Sequence, residues 1–323
     1  MGHRRPVWQA ALAGAAIGTL PDLDVFIAKG DAILDMVLHR AETHAFFWQA
    51  LASPLIAVLP ATLTRSFRFF GRWWLTVILV LFTHSLLDAM TIYGTQLGLP
   101  FTDYPVGLGS LFIIDPLYTL LLIVGLLGTL VMHRSLTCWR WNTAGLVLST
   151  MYAGWSLGAQ VHVTALALST PEADGIPRER ILVTPAPFNT LLWRIVLVGE
   201  DHYHEGFYSL LDPLTEPARP IRLERLERGG ELEAKTADFD RANRIRDFSK
   251  GFYKLTDDGR RVWITDLRMG QHPFYAFSFA FAEHQSEPLS PIRPERSSRR
   301  LPFDEGVPWL WRRMQGHDVA PPR

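Results

Sequence analysis

His84 and Asp88 stand four residues apart inside the apolar run WWLTVILVLFTHSLLDAMTIY, residues 73–93. That spacing puts both side chains on one face of a helix. Ionisable groups at bilayer depth are costly, so they face a protein interior and serve a function. Five more groups of the same chemical kind lie close by: Asp22 and Asp24 in PDLD, His39 and His44 in HRAETH, and Asp115 in FIIDP. Imidazoles and carboxylates are the ligands expected of a divalent metal, zinc first, with manganese or non-haem iron as alternatives. His39, His44, His84 and Asp88 are the leading ligand candidates, with Asp22 and Asp24 next. Six candidates exceed the need of one tetrahedral zinc. Two metals fit, as does one metal with outer carboxylates that orient the histidines. Asp115 is then an outer carboxylate or a general base. Arg40, beside His39, is a candidate for holding a phosphate or carboxylate.

Each motif also has a plainer reading. His84 and Asp88 could form a helix hydrogen bond. PDLD could be a capped turn, Thr43 or Glu42 a helix cap, and Asp115-Pro116 a helix start. What favours a site is their joint occurrence in a region poor in charge. Residues 1–170 carry 9 Lys/Arg and 8 Asp/Glu, against 23 and 24 in residues 171–323.

The charge-poor part must position these groups. Segments 45–63, 73–93, 112–132 and 139–168 each approach the ~20 apolar residues that cross ~30 Å of hydrocarbon. Segment 7–27 is a weaker fifth, rich in Gly and Ala and interrupted by Pro21 and two aspartates. The pattern predicts an α-helical membrane bundle of 4–5 spans over 1–170. Arg4 and Arg5, then Arg65, Arg68 and Arg72, then Arg134 and Arg140 flank alternate ends of these segments. With five spans the N-terminus is cytoplasmic and the C-terminal part lies outside the cytoplasm. All seven groups then fall at the outer membrane face.

The rest reads as ordinary soluble protein. Residues 171–180 read as a linker. Residues 181–290 form a small α+β soluble domain, with strands at ILVTP, LWRIVLV, GFYSLLD, GRRVWITDLRM and FYAFSFAFAEH and a helix over 237–254. Alternating Phe277, Phe279 and Phe281 form its core face, and His202 and His204 belong to a surface loop. Residues 291–323, rich in Arg and Pro, read as a flexible tail. The net charge is zero and no element carries a basic stripe, so nucleic acid is not an expected partner. The one cysteine, Cys138, forms no internal disulfide. There is no P-loop, no G-x-S-x-G elbow and no dinucleotide fingerprint.

The stretches GTLPDLDV (18–25), HRAETH (39–44), THSLLDAMTIYGTQLGLPF (83–101) and FIIDPLYT (112–119) resemble the YdjM family of membrane-bound metal-dependent hydrolases, also described as LexA-binding, inner-membrane-associated hydrolases. The family pattern at 39–45 is HRG-x-THS; Ala41 and Ala45 stand here for its Gly and Ser. The resemblance spans about residues 15–170. It implies a multi-pass protein of the bacterial inner membrane with a metal at these His and Asp positions. It names no substrate. An ester or phosphoester in a lipid or amphiphile fits a site at the bilayer surface, with membrane lipid as partner. The alternative is a non-enzymatic membrane protein. It would be a metal transporter, or a regulator that binds a protein partner through the C-terminal domain.

Overall fold

The structure, a computed structural model, describes residues 7–133, 135, 137–216, 219–284 and 289–323. Arg4, Arg5 and Arg134, used above for orientation, lie outside these. Nine helices are present among the described residues: α1 (Val7–Gly18), α2 (Ala32–Val37), α3 (Phe46–Leu63), α4 (Phe70–Met90), α5 (Pro116–Val131), α6 (Trp139–Leu168), α7 (Asp212–Thr215), α8 (Asp240–Phe248) and α9 (Phe303–Met314). The strands are β1 (Ile181–Pro185), β2 (Leu192–Val198), β3 (His202–Ser209), β4 (Leu223–Glu227), β5 (Tyr253–Asp257), β6 (Arg261–Asp266), β7 (Gly270–Gln271), β8 (Phe274–Tyr275), β9 (Ser278–Glu283) and β10 (Ser290–Ser297). A helical N-terminal region is thus followed by a sheet-rich C-terminal region. The chain divides into two compact units. One holds residues up to 28, 38–108 and 113–155; the other holds 29–37, 109–112 and 156–323.

In the first unit, α3 and α4 pack along their small and apolar faces. Gln49, Ser53, Ala57 and Ala61 repeat every four residues on α3 and are buried. Val77, Leu81, Ser85 and Ala89 do the same on α4. Small residues let the backbones approach, and polar ones cross-link them. Gln49 Nε2 donates to Ser85 Oγ at 2.7 Å, and Trp74 Nε1 donates to Ser53 Oγ at 2.8 Å. The opposite faces expose Leu51, Leu55, Leu59, Leu75 and Leu79. Ile17 of α1 joins Ala57, Val77 and Leu81 in one cluster. Between α5 and α6, Gly125 and Gly145 meet so closely that a Cβ on Gly125 would lie 3.0 Å from the Gly145 Cα.

Among the described residues, two stretches are long and apolar enough to cross a membrane, Phe46–Leu63 and Phe67–Met90. Four or five were expected. Helices α1 and α5 are apolar but have 12 and 16 residues, which at 1.5 Å each reach only about 18 and 24 Å. Helix α6, at 30 residues, is long enough but less apolar.

In the second unit, β1-β2-β3-β4 form an antiparallel meander, and β10-β9-β6-β5 form a second antiparallel sheet. Ala159, Val163 and Ala167, in the second half of α6, pack on Val183, Trp193, Ile195, Leu197 and Tyr208 of the first sheet. This face of α6 reads as apolar in sequence because it is a protein core. Phe279 and Phe281 of β9 are buried as expected. His202 and His204 lie in β3 rather than in a loop.

Two departures have long-range causes. Residues 29–37 fall between the segments 7–27 and 45–63 of the expected membrane part, yet α2 packs on α8 and β10. Arg241 Nε reaches Asp31 Oδ2 at 2.7 Å, and Ile33 is fully buried. Residues 291–323 were expected as a flexible tail, yet they form β10 and α9. Arg313 of α9 pairs with Asp212 at 2.6 Å, and Trp309 packs edge-on against Phe207. Neither partner is near in sequence, so local composition could not reveal them.

Candidate metal centre

Three segments of the first unit bring the site together. Helix α1 ends at Gly18, and a 3-10 turn, Pro21–Phe26, follows it. A second 3-10 turn, Glu42–His44, leads into α3. His84 and Asp88 occupy the last two turns of α4. The site therefore sits at one end of the α3/α4 pair.

Four residues converge: Asp22, His44, His84 and Asp88 each offer a ligand atom, and these atoms all lie within 4.8 Å of one another. His44 Nε2 is 3.3 Å from His84 Nε2. Asp88 Oδ2 lies 3.1 Å from His44 Nε2 and 3.4 Å from His84 Nε2. Asp22 Oδ1 lies 3.5 Å from each imidazole nitrogen. A tetrahedral zinc with ~2.05 Å bonds has ligand–ligand edges of about 3.3 Å. All five separations fall close to that edge. Asp88 Oδ2 is buried, yet despite these short distances it is not aligned for a hydrogen bond with either histidine. Two carboxylates and two imidazole nitrogens aimed at a common centre are a donor set that fits a divalent cation.

A second layer fixes the direction of these groups. Thr43 Oγ1 donates its one proton to Asp24 Oδ2 at 3.0 Å, because a carboxylate only accepts. The contact of the same oxygen with His44 Nδ1, at 2.9 Å, must then be one in which the imidazole N–H donates. In the neutral imidazole that leaves a lone pair on His44 Nε2, the nitrogen that faces His84, Asp22 and Asp88. A histidine held through its far nitrogen in this way is the usual support for a metal ligand. Asp24 also accepts from the Arg40 backbone N–H at 3.0 Å and contacts His39 Nδ1 at 2.8 Å. Arg40 adopts a left-handed backbone, φ 62°, uncommon for a residue with a side chain. The turn aims its N–H at Asp24.

Arg40 is buried. It donates to Thr91 Oγ1 at 3.1 Å, pairs with Asp88 Oδ1 at 3.2 Å and lies over the Tyr93 ring at 5.2 Å. It therefore holds a member of the cluster, where the sequence had suggested a substrate anion. Asp24 and His39, expected as ligands, are paired with each other outside the group of four. Asp115 caps α5: its Oδ1 accepts from the Leu117 and Tyr118 N–H groups, and Oδ2 accepts from Tyr152 Oη at 2.9 Å. That is the plain helix-start reading, and Asp115 is not among the four converging residues. Sequence inspection missed Thr43 as an orienting group, together with Thr91 and Tyr93. Thr43 stood in HRAETH as a candidate cap, and only its adjacency to His44 signalled more.

Electrostatics match the geometry. Burial opposes charge on His44, but its contacts with Asp22 and Asp88 outweigh this and raise its pKa. The neighbouring His44 and His84 imidazoles, in their charged forms, hold the Asp22 carboxyl far below its ordinary range, against the effect of burial. Burial pushes Asp24 up, but the His39 and Arg40 contacts win and lower it. The proton on His44 takes the place that a cation would take. Ligation requires its loss.

The model of the YdjM inner membrane protein family matches residues 2–163. No curated protein matches the chain, and no solved structure does. The family match covers half of the chain, including both candidate spans and every member of the cluster, so the chain belongs to the YdjM inner membrane protein family.

Proposed function

We propose that Asp22, His44, His84 and Asp88 bind one divalent metal, zinc by preference, and that the protein is a membrane-bound hydrolase of an ester or phosphoester in an amphiphile. The observation that carries this is the set of five donor separations between 3.1 and 3.5 Å. Two imidazoles with carboxylates suit zinc best, and manganese or iron come next. A metal here supplies a Lewis acid and acidifies water into the neutral range. The chain's own residues do the rest. Thr43 and Asp24 keep the His44 lone pair turned inward. Arg40 steadies Asp88. Asp22, with a half-exposed side chain, marks the open side by which substrate enters. Hydrolysis then adds the oxygen of water to the acyl carbon or phosphorus and its proton to the leaving oxygen.

The exposed apolar residues of α1, α5 and α6 support further burial in lipid. Leu12, Leu120, Ile123, Leu127, Val147 and Met151 are all exposed on helices that carry no charge on those faces. Such a surface is covered by membrane or by partner helices. The proposed topology is multi-pass, with the C-terminal domain outside the cytoplasm, where it is free to meet a protein partner.

Metal analysis of the purified full chain beside His84→Ala and Asp88→Ala tests the site. Wild type should hold near-stoichiometric metal and both variants should lose it. Equal metal in all three overturns the proposal. Chelator-sensitive cleavage of long-chain esters and phosphoesters, absent in the same variants, tests the activity.

A further inference from the structure

The chain leaves the helical unit after Ala28 and returns to it at Leu38. Residues 29–37 fold with the sheet-rich unit. This excursion divides the two motifs that build the metal centre. Asp22 and Asp24 precede it, and His39, Arg40, Thr43 and His44 follow it. Asp24 ties the two ends together: it contacts His39 Nδ1 at 2.8 Å and accepts from the Arg40 N–H at 3.0 Å.

The excursion has a fixed form that its own sequence cannot sustain. Helix α2 has six residues, well below the ~12–15 at which an isolated helix becomes even marginal in water. Packing within the sheet-rich unit holds it. Ile33 and Met36 are buried, and α2 lies on α8 and β10. The buried Asp31 divides its carboxylate between two tasks. Oδ1 accepts from the Ile33 and Leu34 N–H groups at 3.0 and 2.9 Å, which starts the helix. Oδ2 pairs with Arg241 Nε of α8 at 2.7 Å. Arg293 of β10 donates through Nη2 to the Gly30 carbonyl at 3.2 Å. Two arginines from different elements thus grip two adjacent residues.

The grip is close to the metal centre along the chain. Only Leu38 separates Val37, the last residue of α2, from His39. Two residues of fully extended chain reach about 7 Å. A larger displacement of α2 must pull His39 away from Asp24. A free loop would also have to lose entropy each time its ends met, and a loop held at its middle has already lost much of it.

We propose that Asp31, Arg241 and Arg293 are positioning residues for the metal centre. By holding α2, the sheet-rich unit keeps His39 and the Arg40 N–H on Asp24, and with them the turn that presents His44. This rests on the metal site proposed above and gives the C-terminal part a role in it.

The test uses the full chain in detergent, with two readouts. One is amide hydrogen exchange of the metal-free protein, read on peptides covering 29–37 and 38–45. The other is zinc affinity by chelator competition. Arg241→Ala and Asp31→Asn should each speed exchange in both peptides and weaken zinc by about tenfold, the low end of what outer partners contribute at metal sites. The double variant should be no worse than either single one, because both remove the same contact. Arg222→Ala removes another ion pair of the same unit, to Asp318, and should change neither readout. Ile33→Ala hollows the buried face of α2 and guards against an ion pair too weak to matter. Faster exchange confined to 29–37, with 38–45 and zinc affinity as in wild type, would show a slack tether and overturn the proposal. So would unchanged exchange at 38–45 in both Arg241→Ala and Ile33→Ala, or an equal effect of Arg222→Ala. Wild type that binds no zinc defeats the metal site, and exchange at 38–45 then decides the positioning role by itself.

Discussion

Replacing Thr43 by valine keeps the side-chain shape and removes one oxygen. That oxygen has two duties: it donates to Asp24 Oδ2 at 3.0 Å and accepts from His44 Nδ1 at 2.9 Å. Asp24 loses little, because the Arg40 N–H and His39 remain. His44 loses its acceptor, since Asp24 Oδ2 lies 3.9 Å from Nδ1, beyond hydrogen-bond reach. The His44 side chain is fully buried, so a stranded N–H there costs ~1–3 kcal/mol. The imidazole escapes that cost by moving its proton to Nε2, the nitrogen that faces the cluster. A proton there competes with the metal. The expected loss in zinc affinity is therefore about 10–100-fold, which agrees with the effect of outer partners at known metal sites. Competition with a chromophoric chelator in detergent measures it. Thr43→Ser keeps the hydroxyl and should bind as wild type. Equal affinity in the valine and wild-type proteins would refute the tautomer assignment. Equal loss in valine and serine variants would show that packing, not the hydrogen bond, was responsible.

Other outcomes follow from the same structure. Metal retention should fall as pH drops, because the raised pKa of His44 favours the proton over the ligand; a titration of bound zinc from neutral to acid shows the direction. Asp115→Ala removes the α5 cap and should cost ~1 kcal/mol of stability, while metal content stays unchanged; loss of metal would return Asp115 to the site. Arg194→Met in the sheet-rich unit strands the buried Glu205, paired at 2.7 Å, and should destabilise that unit by ~3–5 kcal/mol, read by denaturant unfolding followed at its tryptophans. Burial raises Glu205, but Arg194 and its hydrogen bonds win and lower it. The pair's contribution is thus present above the ordinary carboxylate range and is lost as pH falls through the lowered value.

Sequence alone determined where the ionisable side chains gather along the chain. Ionisable groups are so costly in an apolar setting that PDLD, HRAETH and HSLLD stand out without coordinates. Period and composition also marked α3 and α4, which bury one face in a regular repeat, and β1, β2 and β9, short apolar runs buried along nearly their whole length. Tertiary structure decided which groups meet. His39 and His44 look equivalent in sequence, but a left-handed Arg40 and two short 3-10 turns send His39 to Asp24 and His44 to the cluster. Arg40 and Asp115 looked catalytic because charge is rare around them, yet their partners, Asp88, Thr91 and Tyr152, come from distant positions. The same holds for α2, claimed by Arg241, and for the C-terminal segment, held by Asp212. Residue type sets the cost of burying a group. Which partner offsets that cost depends on how the chain returns on itself, and no local pattern encodes that.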